Sequence, residues 1–438
     1  MKRAIALSLA TLFSASAWST DLLQVYRDAL ANDARFAAAR AQYEAGQERV
    51  VQGRAGLLPT IGANANTTWN DVDTHTRVFG TREYNSNGYG VQLTQPLFRW
   101  QNWIQYKQGE LQTALAEVQL GQARHDLILR VAQAYFDVLN AQDALAAQSQ
   151  LKKAAAEQLE LGKASFEVGT VTITDVHEAQ SRFDLASAQE IAAQNELDVR
   201  RQTLVQIVGK DPSPLAGLRQ GLSLSRPQPD DIAEWAAAAE QGSYAVQAQQ
   251  LAREIAAREV ERNRAGHYPT LDVVAARSHS SAGFSSSAAA GGSTRTDANT
   301  VGLQLNVPIF AGGAVSSRER EAAALKLKAD ADLDDARRSA ALAARQAYLG
   351  VTSGMAQVKA LEAAQVSSTS ALEANRLGYE VGVRINIDVL NAQSQLADTQ
   401  RQLARARYDT ILAQLRLKAA AGTLGEEDVQ LIDTLLAK

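Results

Sequence analysis

The sequence contains no cysteine among its 438 residues. This absence excludes a disulfide framework, a thiolate metal site and a cysteine nucleophile. Histidine is scarce too, and the spacing of the five histidines matches no metal-ligand pattern; a phosphate-binding glycine loop and a nucleophile elbow are also missing. We therefore predict no catalytic residue, no metal and no cofactor, and we expect the histidines to be solvated at the surface. They lie at positions 75, 125, 177, 267 and 279.

Neither sign of charge is in clear excess, since 44 Lys and Arg residues stand against 48 Asp and Glu residues. A protein that binds nucleic acid normally has a basic surplus or basic clusters for the phosphates, so the composition argues against that partner. Proline, with 8 residues, and aromatic residues, at 6%, are also sparse, whereas alanine makes up much of the 46% hydrophobic fraction. Because alanine favours and proline breaks helices, this composition predicts long helices.

Long apolar runs are missing after the N-terminus. Lys2 and Arg3 precede an apolar stretch, residues 4–13, which small residues follow. This is the layout of a secretory signal peptide, and we assign it to residues 1–19, with cleavage after Ala17 or Ser19. The stretch is far shorter than the ~20 residues of a spanning helix. If the mature protein enters a membrane, it must do so as a β-barrel.

The rest of the chain contains an internal repeat: matching sequence motifs occur in the same order in both halves, at a shift of 210 to 213 residues. We therefore predict two tandem repeats, residues 20–222 and 223–438. Each builds a helix, a strand, a loop, a strand, a long helix, a turn and a second long helix. Matching landmarks are Pro59-Thr60 and Pro269-Thr270, Gly90-Val91-Gln92-Leu93 and Gly302-Leu303-Gln304-Leu305, Ala134-Tyr135 and Ala347-Tyr348, and Val168-Gly169 and Val381-Gly382.

Strict alternation of apolar and polar residues predicts the strands, for example over residues 61–70 and 301–309. A strand of a soluble sandwich has the same pattern. Two polar, Gly- and Ser-containing segments, Asp71 to Gly88 and Ser280 to Thr300, are predicted as linkers between paired strands, as in the outer loops of a membrane barrel. Four prolines are expected at strand-to-helix boundaries, where a missing N–H is tolerated. They are Pro59, Pro96, Pro269 and Pro308.

Two long antiparallel helical hairpins follow the strand pairs. From about Trp100 to Phe166, and again from about Ser316 to Tyr379, there is no proline, and apolar residues recur at coiled-coil spacings. Each long helix would extend roughly 100 Å. Four strands cannot close a barrel, because the smallest need about 8. Three copies would supply twelve strands and a passable lumen, so a conducting form should be at least a trimer.

Both repeats carry Val-Gly followed, after five residues, by Asp-Val, and with the other landmarks the sequence resembles the TolC family of outer-membrane efflux and secretion channels. The resemblance implies a mixed α+β membrane protein: a trimeric, twelve-stranded outer-membrane β-barrel, continuous with a long α-helical coiled-coil tunnel in the periplasm of a Gram-negative cell. It covers nearly the whole mature chain. The residues that carry it include Leu57-Leu58-Pro59, Gln92-Leu93-Thr94-Gln95, Ala134-Tyr135-Phe136, Val138-Leu139-Asn140-Ala141, Ile173-Thr174-Asp175-Val176, Gly378-Tyr379 and Asp388-Val389-Leu390.

The resemblance also implies partners. These are two further copies of the chain, a periplasmic adaptor (membrane fusion) protein, an energised ABC or proton-driven inner-membrane transporter, and outer-membrane lipid. The match is nearest to the branch that serves type I protein secretion as well as drug efflux. Two alternatives stay open: a duct for multidrug efflux only, and a periplasmic coiled-coil adaptor or scaffold without a pore.

Asp388 matches the family position whose carboxylates ring the periplasmic aperture, where three converging acids bind cations and select by charge. The alternative is that it only occupies the first turn of a helix, where the macrodipole favours an acid. One turn later the family often has a second acid, and here that position is Asn391. We expect this difference to weaken the lower ring.

Tyr379 and Arg384 match residues that latch the inner hairpin to its neighbours, with Asp175 as an acidic partner, and breaking such a latch would open the gate. For Asp175 the alternative is a capping box with Thr172. Gly169 and Gly382 are expected to allow the tight turns between helices and are possible contacts for the adaptor.

Overall fold

The computed structural model describes residues 20–74, 80–219, 221, 224–284 and 292–437, so the predicted signal peptide and His75 lie outside the described residues. Within these ranges the chain is mainly helical, and its four strands form one sheet. No described helix combines the length and the apolar character needed to cross a bilayer. The helices are α1 Leu22–Asn32, α2 Ala34–Ala55, α3 Trp100–Glu167, α4 Ile173–Val208, α5 Ile232–Gly242, α6 Tyr244–Arg264, α7 Ala314–Glu380, α8 Asn386–Ala420 and α9 Glu426–Asp433; the strands are β1 Thr60–Thr74, β2 Gly80–Phe98, β3 Thr270–Ala282 and β4 Thr294–Asn306.

The chain divides into two compact units. Unit 1 comprises residues 1–38, 122–243 and 338–438, and unit 2 comprises residues 39–121 and 244–337. In unit 2 the strands pair antiparallel in the order β1-β2-β3-β4, so β1 and β4 are the two edges. Helices precede β1 and β3 and follow β2 and β4, so all four helical connections leave from the same end of the sheet.

The two faces of the sheet differ in polarity. One face, which we call the apolar face, is exposed in the single chain, and its Trp69 and Val301 are 83% and 82% exposed. The other face consists mainly of Gly, Asn, Gln, Ser and Thr, as expected from the period-two pattern. Four strands per chain are thereby confirmed. In register, the apolar face carries the rows Leu271–Leu305, Val273–Leu303, Ile61–Leu93–Ala275–Val301 and Ala63–Val91.

The strands are longer than the polar segments suggested, so the predicted linkers Asp71 to Gly88 and Ser280 to Thr300 are wrong in extent. β1 runs to Thr74, and the ladder still holds Asp71 opposite Glu83. Polar side chains do not stop a hairpin ladder when both faces of it can be solvated, because the backbone hydrogen bonds are unaffected. Pro96 also departs from the prediction: it lies inside β2, at an irregularity in the pairing with β3.

Unit 1 contains the larger parts of the two helical hairpins α3–α4 and α7–α8, since α3 and α7 begin in unit 2. The first helix of the hairpins has 68 residues in α3 and 67 in α7 without interruption, as predicted. The core contains large apolar side chains that are almost fully buried. Among them are Tyr135, Phe136, Leu204, Ile411 and Leu415.

The helix predicted at the start of each repeat is in fact two helices. In the first case the break lies at Asp33, whose carboxylate accepts the Phe36 N–H at 2.6 Å and so caps α2. The same buried carboxylate accepts two hydrogen bonds from Arg130, each 3.0 Å long. Burial opposes the ionisation of Asp33, but these hydrogen bonds outweigh it and hold its pKa below the ordinary value. The second break, between α5 and α6, lies at Ser243.

Candidate functional site

The residues predicted to form a gate lie at two helix-to-helix turns of unit 1. One turn joins α3 to α4 over residues 168–172, and the other joins α7 to α8 over residues 381–385. Both turns present exposed apolar side chains, among them Val168, Val383 and Ile385. We call the two turns the first and the second hairpin tip.

The same backbone geometry closes both tips. Gly169 and Gly382 have φ of 76° and 77°, in the left-handed region that favours glycine. In the first tip the Thr170 N–H donates to the Ser165 carbonyl at 2.9 Å, and in the second the Val383 N–H donates to the Gly378 carbonyl at 2.9 Å. This bonding pattern ends a helix in a Schellman motif. An added Cβ would meet nothing within 4 Å at either glycine, so the requirement for glycine is conformational.

The start of α4 is held by a capping box, as the sequence indicated. The Asp175 N–H donates to the Thr172 hydroxyl at 3.4 Å, and the Thr172 N–H and hydroxyl each donate to the Asp175 carboxylate at 2.8 Å. Hydrogen bonds from Thr172 to the carboxylate lower the pKa of Asp175. The Asp175 carboxylate therefore accepts its hydrogen bonds at the start of its own helix.

The start of α8 lacks that cap. Ile385 stands 213 residues after Thr172, the same shift that relates the two glycines, and it forms no side-chain cap hydrogen bond. Asp388 lies in the first turn of α8, at the position that Asp175 has in α4. Its carboxylate is 33% exposed and lies 3.5 Å from Nη1 of Arg384, which is itself well exposed. The acid of the second tip therefore keeps oxygens available to solvent or to an ion.

The predicted ion pair between Arg384 and Asp175 is not formed within one chain, since each of these side chains bonds near its own helix start. A pair between neighbouring chains stays a prediction. Tyr379 is half-buried near the end of α7, and among the described residues its hydroxyl has no hydrogen-bond partner. Asn391 is exposed on α8, one turn after Asp388.

A contact between the hairpins lies outside the predicted set. The Tyr408 hydroxyl on α8 donates to the Asp143 carboxylate on α3 at 2.6 Å, and the Tyr408 ring stacks on Phe136 with centroids 5.4 Å apart. Desolvation raises the pKa of Asp143, against the effect of this hydrogen bond. The two residues are 265 positions apart, and no local pattern in a single sequence connects them.

Farther toward the tips, α3, α4 and α8 enclose a groove of about 310 Å³. Its walls combine small apolar residues with a few charged ones, so a helix could approach closely and still find ionic partners. Its lining includes the alanines Ala155, Ala186 and Ala397 and the arginines Arg182 and Arg401.

In the described part of a single chain, no group of His, Asp and Glu residues has the arrangement of a metal site. His125 corrects the expectation of surface solvation, because it is buried in unit 1 and its ring donates a hydrogen bond to the backbone of Leu424. Burial lowers its pKa, so it is a neutral core residue and not a ligand.

Comparison with protein families gives one match: residues 25–210 and 235–423 each match the model for the outer membrane efflux protein family. Two curated relatives align over almost the whole chain. The outer membrane protein TolC of Vibrio cholerae is 33% identical over 97% of this chain and 95% of its own. The alkaline protease secretion protein AprF of Pseudomonas aeruginosa is 33% identical over 95% of this chain and 87% of its own.

Among solved structures, the CmeC outer membrane channel of Campylobacter jejuni superposes with a TM-score of 0.79. The match covers 95% of this chain and 90% of that chain, at 17% sequence identity. At this identity the likeness concerns the fold alone.

Proposed function

This chain belongs to the outer membrane efflux protein family, and on that premise we propose that three copies assemble into one export duct. The protein is an exit duct in the outer membrane of a Gram-negative cell, with a tunnel in the periplasm.

The sheet of unit 2 carries the proposal of a trimer. Its two edges are free in a single chain, and an open sheet whose apolar face is exposed needs partners. Four strands are too few for a barrel with a lumen, whereas three chains supply twelve. The strands have 13 to 19 residues, more than the ~9–11 that a tilted strand needs to span a bilayer. In this barrel the apolar face contacts lipid and the polar face lines the lumen.

We also propose that residues 20–222 and 223–438 are two tandem repeats, each giving two strands and one hairpin to the duct. The order of elements supports this, since two helices, two strands and a long hairpin occur twice. The two separate stretches that match one family model support it as well.

Asp388 and Asn391 are proposed to line the periplasmic aperture. The start of α8 has no side-chain cap, so the Asp388 carboxylate, 33% exposed, is not part of a capping box, whereas the capping box occupies that of Asp175. Three copies of Asp388 around one axis would form an acidic ring that binds cations, and the neighbouring Arg384 limits its charge. Asn391 adds amide dipoles without charge one turn farther along α8.

Tyr379, Arg384 and Asp175 are proposed to form the latch between neighbouring chains. The Tyr379 hydroxyl has no hydrogen-bond partner among the described residues. The exposed Arg384 side chain can leave its ion pair with Asp388 and pair with an acid of the next chain. A latch of a few charge-assisted hydrogen bonds can hold a closed state that an adaptor then opens.

The partners are proposed to be a periplasmic adaptor and an energised ABC or proton-driven inner-membrane transporter. The groove beside Ala155, Ala186 and Ala397 can accept a helix of the adaptor, with Arg182 and Arg401 as charged contacts. Gly169 and Gly382 shape the tips that the adaptor would also touch. The two curated relatives are named as an outer membrane protein and a secretion protein, and the similar solved structure as an outer membrane channel, so we propose that the duct catalyses no reaction and that a partner supplies the energy.

For cargo we propose proteins of type I secretion as well as small molecules, because one of the similar proteins is named for secretion of an alkaline protease. A deletion strain, complemented with the wild type, tests this by comparing secreted proteins and drug susceptibility. Loss of a secreted protein supports the secretion role. If only drug susceptibility changes, the protein is a duct for efflux alone.

Single-channel conductance of the purified protein in a planar bilayer tests the duct itself. We expect small cation-selective currents that rise in Asp388→Ala and lose their block by divalent cations. Asp409→Ala is a matched control, because this acid of α8 lies in an exposed pair with Arg405. Conductance that is unchanged in Asp388→Ala would remove the aperture role and leave the duct. A folded trimer without conductance would contradict the duct and favour a scaffold.

A further inference from the structure

Two arginines interrupt the apolar face of the sheet near its hairpin turns. Arg277 on β3 is in register with Val91 and Asn299, and Arg295 on β4 is in register with Ser281. Both are exposed and have no hydrogen bond within the described residues, but both interact electrostatically with the carboxylate of Asp297 on the same face. The face is polar at this level, where Asn87, Ser281 and Asn299 also lie, and two arginines against one acid leave a local excess of positive charge.

The acid between the arginines is already engaged. A ring nitrogen of His279 and the Asp297 carboxylate lie 2.7 Å apart, in register across β3 and β4. The ring of Tyr89 stacks on His279, with the centroids 4.9 Å apart. Asp297 therefore shares its charge between His279 and the two arginines. The aromatic ring of Tyr89 lies next to this group, as is common where a barrel leaves the lipid.

The position along the strand places Arg295 at the rim. Ten residues separate Leu305 from Arg295 on β4, which corresponds to ~33 Å along the strand and ~23 Å across the membrane at a tilt of about 45°. The apolar band of such barrels is ~25 Å tall, so Arg295 lies at its outer border. Arg277 lies four residues lower by register, ~13 Å along the strand and ~9 Å across the membrane, so its Cα lies inside the band and its long side chain is the part that extends toward the border.

The rim concerned is the outer one. The helical connections leave from the opposite end of the sheet, and the helices of this protein are on the periplasmic side. Phosphates are the headgroup anions that arginine binds in bidentate fashion. We propose that Arg277 and Arg295, with His279 and Tyr89 beside them, bind the phosphorylated headgroup of a glycolipid in the outer leaflet. This inference rests on the proposed barrel.

A second copy of the chain is the competing occupant. β4 is an edge strand, so in a trimer Arg295 could reach an acid on β1 of the next chain, where Asp71 lies on the same face. Arg277 is on an inner strand and is separated from both edges by β4 or by β2 and β1. A neighbouring chain therefore does not account for Arg277, whereas a headgroup lying on the face can contact both arginines.

Native mass spectrometry of the full-length protein in a neutral detergent tests the proposal. Bisphosphorylated lipid A, monophosphorylated lipid A and phosphatidylethanolamine are titrated separately. Each surface cation contributes about fivefold to binding of an anionic headgroup, so Arg277→Gln with Arg295→Gln should weaken binding of the bisphosphorylated lipid about twenty-five-fold. Lysine at both positions should restore most of it. Arg337→Gln with Arg345→Gln, two exposed arginines on α7, is the control with equal charge change.

We expect the bisphosphorylated lipid to bind tightest, and millimolar inorganic phosphate not to displace it. Equal affinity of wild type and double glutamine variant would overturn the proposal, as would displacement by free phosphate. It is also overturned if the variant only lowers the temperature at which the trimer dissociates, because the arginines would then join chains. Conductance of the same samples keeps the two ideas apart: a wild type that does not conduct contradicts the duct, and one that conducts without lipid selectivity contradicts only this inference.

Discussion

Replacing Ile385 by threonine should change the ion selectivity of the aperture through a cap on α8. Ile385 has φ −102° and ψ 158°, and Thr172 at the start of α4 has φ −88° and ψ 159°. A threonine therefore fits the backbone as it is. Ile385 is 65% exposed, so the substitution removes little packing. We expect the new hydroxyl and backbone N–H to bind Asp388 as Thr172 binds Asp175.

The magnitude follows from the cap. A threonine N-cap stabilises a helix start by about 1 kcal/mol. A cation held by all three Asp388 carboxylates must release three caps, which costs about 3 kcal/mol in total, or roughly a hundredfold in its dissociation constant. The aperture should consequently lose most of its block by divalent cations, while its unblocked current changes little.

The assay is a divalent titration of single-channel current in Ile385→Thr, with Ile385→Val as the β-branched control that has no hydroxyl. Hydrogen exchange over residues 381–390 reports separately whether the cap forms. Slower exchange together with an unchanged divalent block would refute the reasoning, because the cap would then hold a carboxylate that never faced the ion. In the first tip, Thr172→Ile should speed local exchange and leave the block as it is.

Three further outcomes follow from contacts in unit 1. Asp33→Asn should destabilise the protein by about 2 kcal/mol at pH 7, because the lowered pKa of Asp33 means that its contribution is present above its ordinary pKa and lost as pH falls through the folded value. Unfolding temperatures of variant and wild type should therefore converge below about pH 4, whereas the exposed control Asp126→Asn should differ little at any pH. Gly382→Ala should destabilise the second tip by about 1–2 kcal/mol because alanine disfavours the positive φ, and Gly382→Asn should destabilise it less. Local hydrogen exchange measures both effects. Equal exchange rates for the wild type and both variants would contradict the conformational argument. Tyr408→Phe keeps the ring but leaves Asp143 without its donor, so the unfolding free energy should fall by about 1–3 kcal/mol; an unchanged value would mean that the hydrogen bond contributes nothing.

The predictable part of this structure is the part encoded by neighbouring residues. Period-two alternation over residues 61–70 and 301–309 located parts of β1 and β4, and the absence of proline predicted the uninterrupted α3 and α7. The break at Asp33 was also accessible, since an Asp three residues before Phe36 is a capping signal that the overall helical pattern hid.

Two kinds of feature could not be predicted from the sequence: contacts between residues far apart in the chain, and local structure that depends on its surroundings. The Tyr408–Asp143 bond joins residues 265 positions apart, and nothing local marks either of them. The polar ends of β1 and β2 form a paired ladder where the composition predicts a loop, because composition does not distinguish a solvated ladder from a turn. At the two tips, the structure forms the capping box that the sequence predicted as one alternative for Asp175, whereas the latch role of Asp175 and the aperture role of Asp388 stay predictions.

The two tips show how one substitution between matched positions can give equivalent acids different tasks. Thr172 and Ile385 are matched by the 213-residue shift, and the glycines before them close the turns in the same way. With threonine, the carboxylate three residues later completes a capping box and stabilises the helix start. With isoleucine, the carboxylate forms no capping box, and no side chain caps the helix start. A capped helix start resists fraying and an uncapped one frays more easily, so we expect the start of α8 to open at a lower free-energy cost than the start of α4. A single difference between matched positions thus releases the acid from a capping box and also weakens the helix start that carries it.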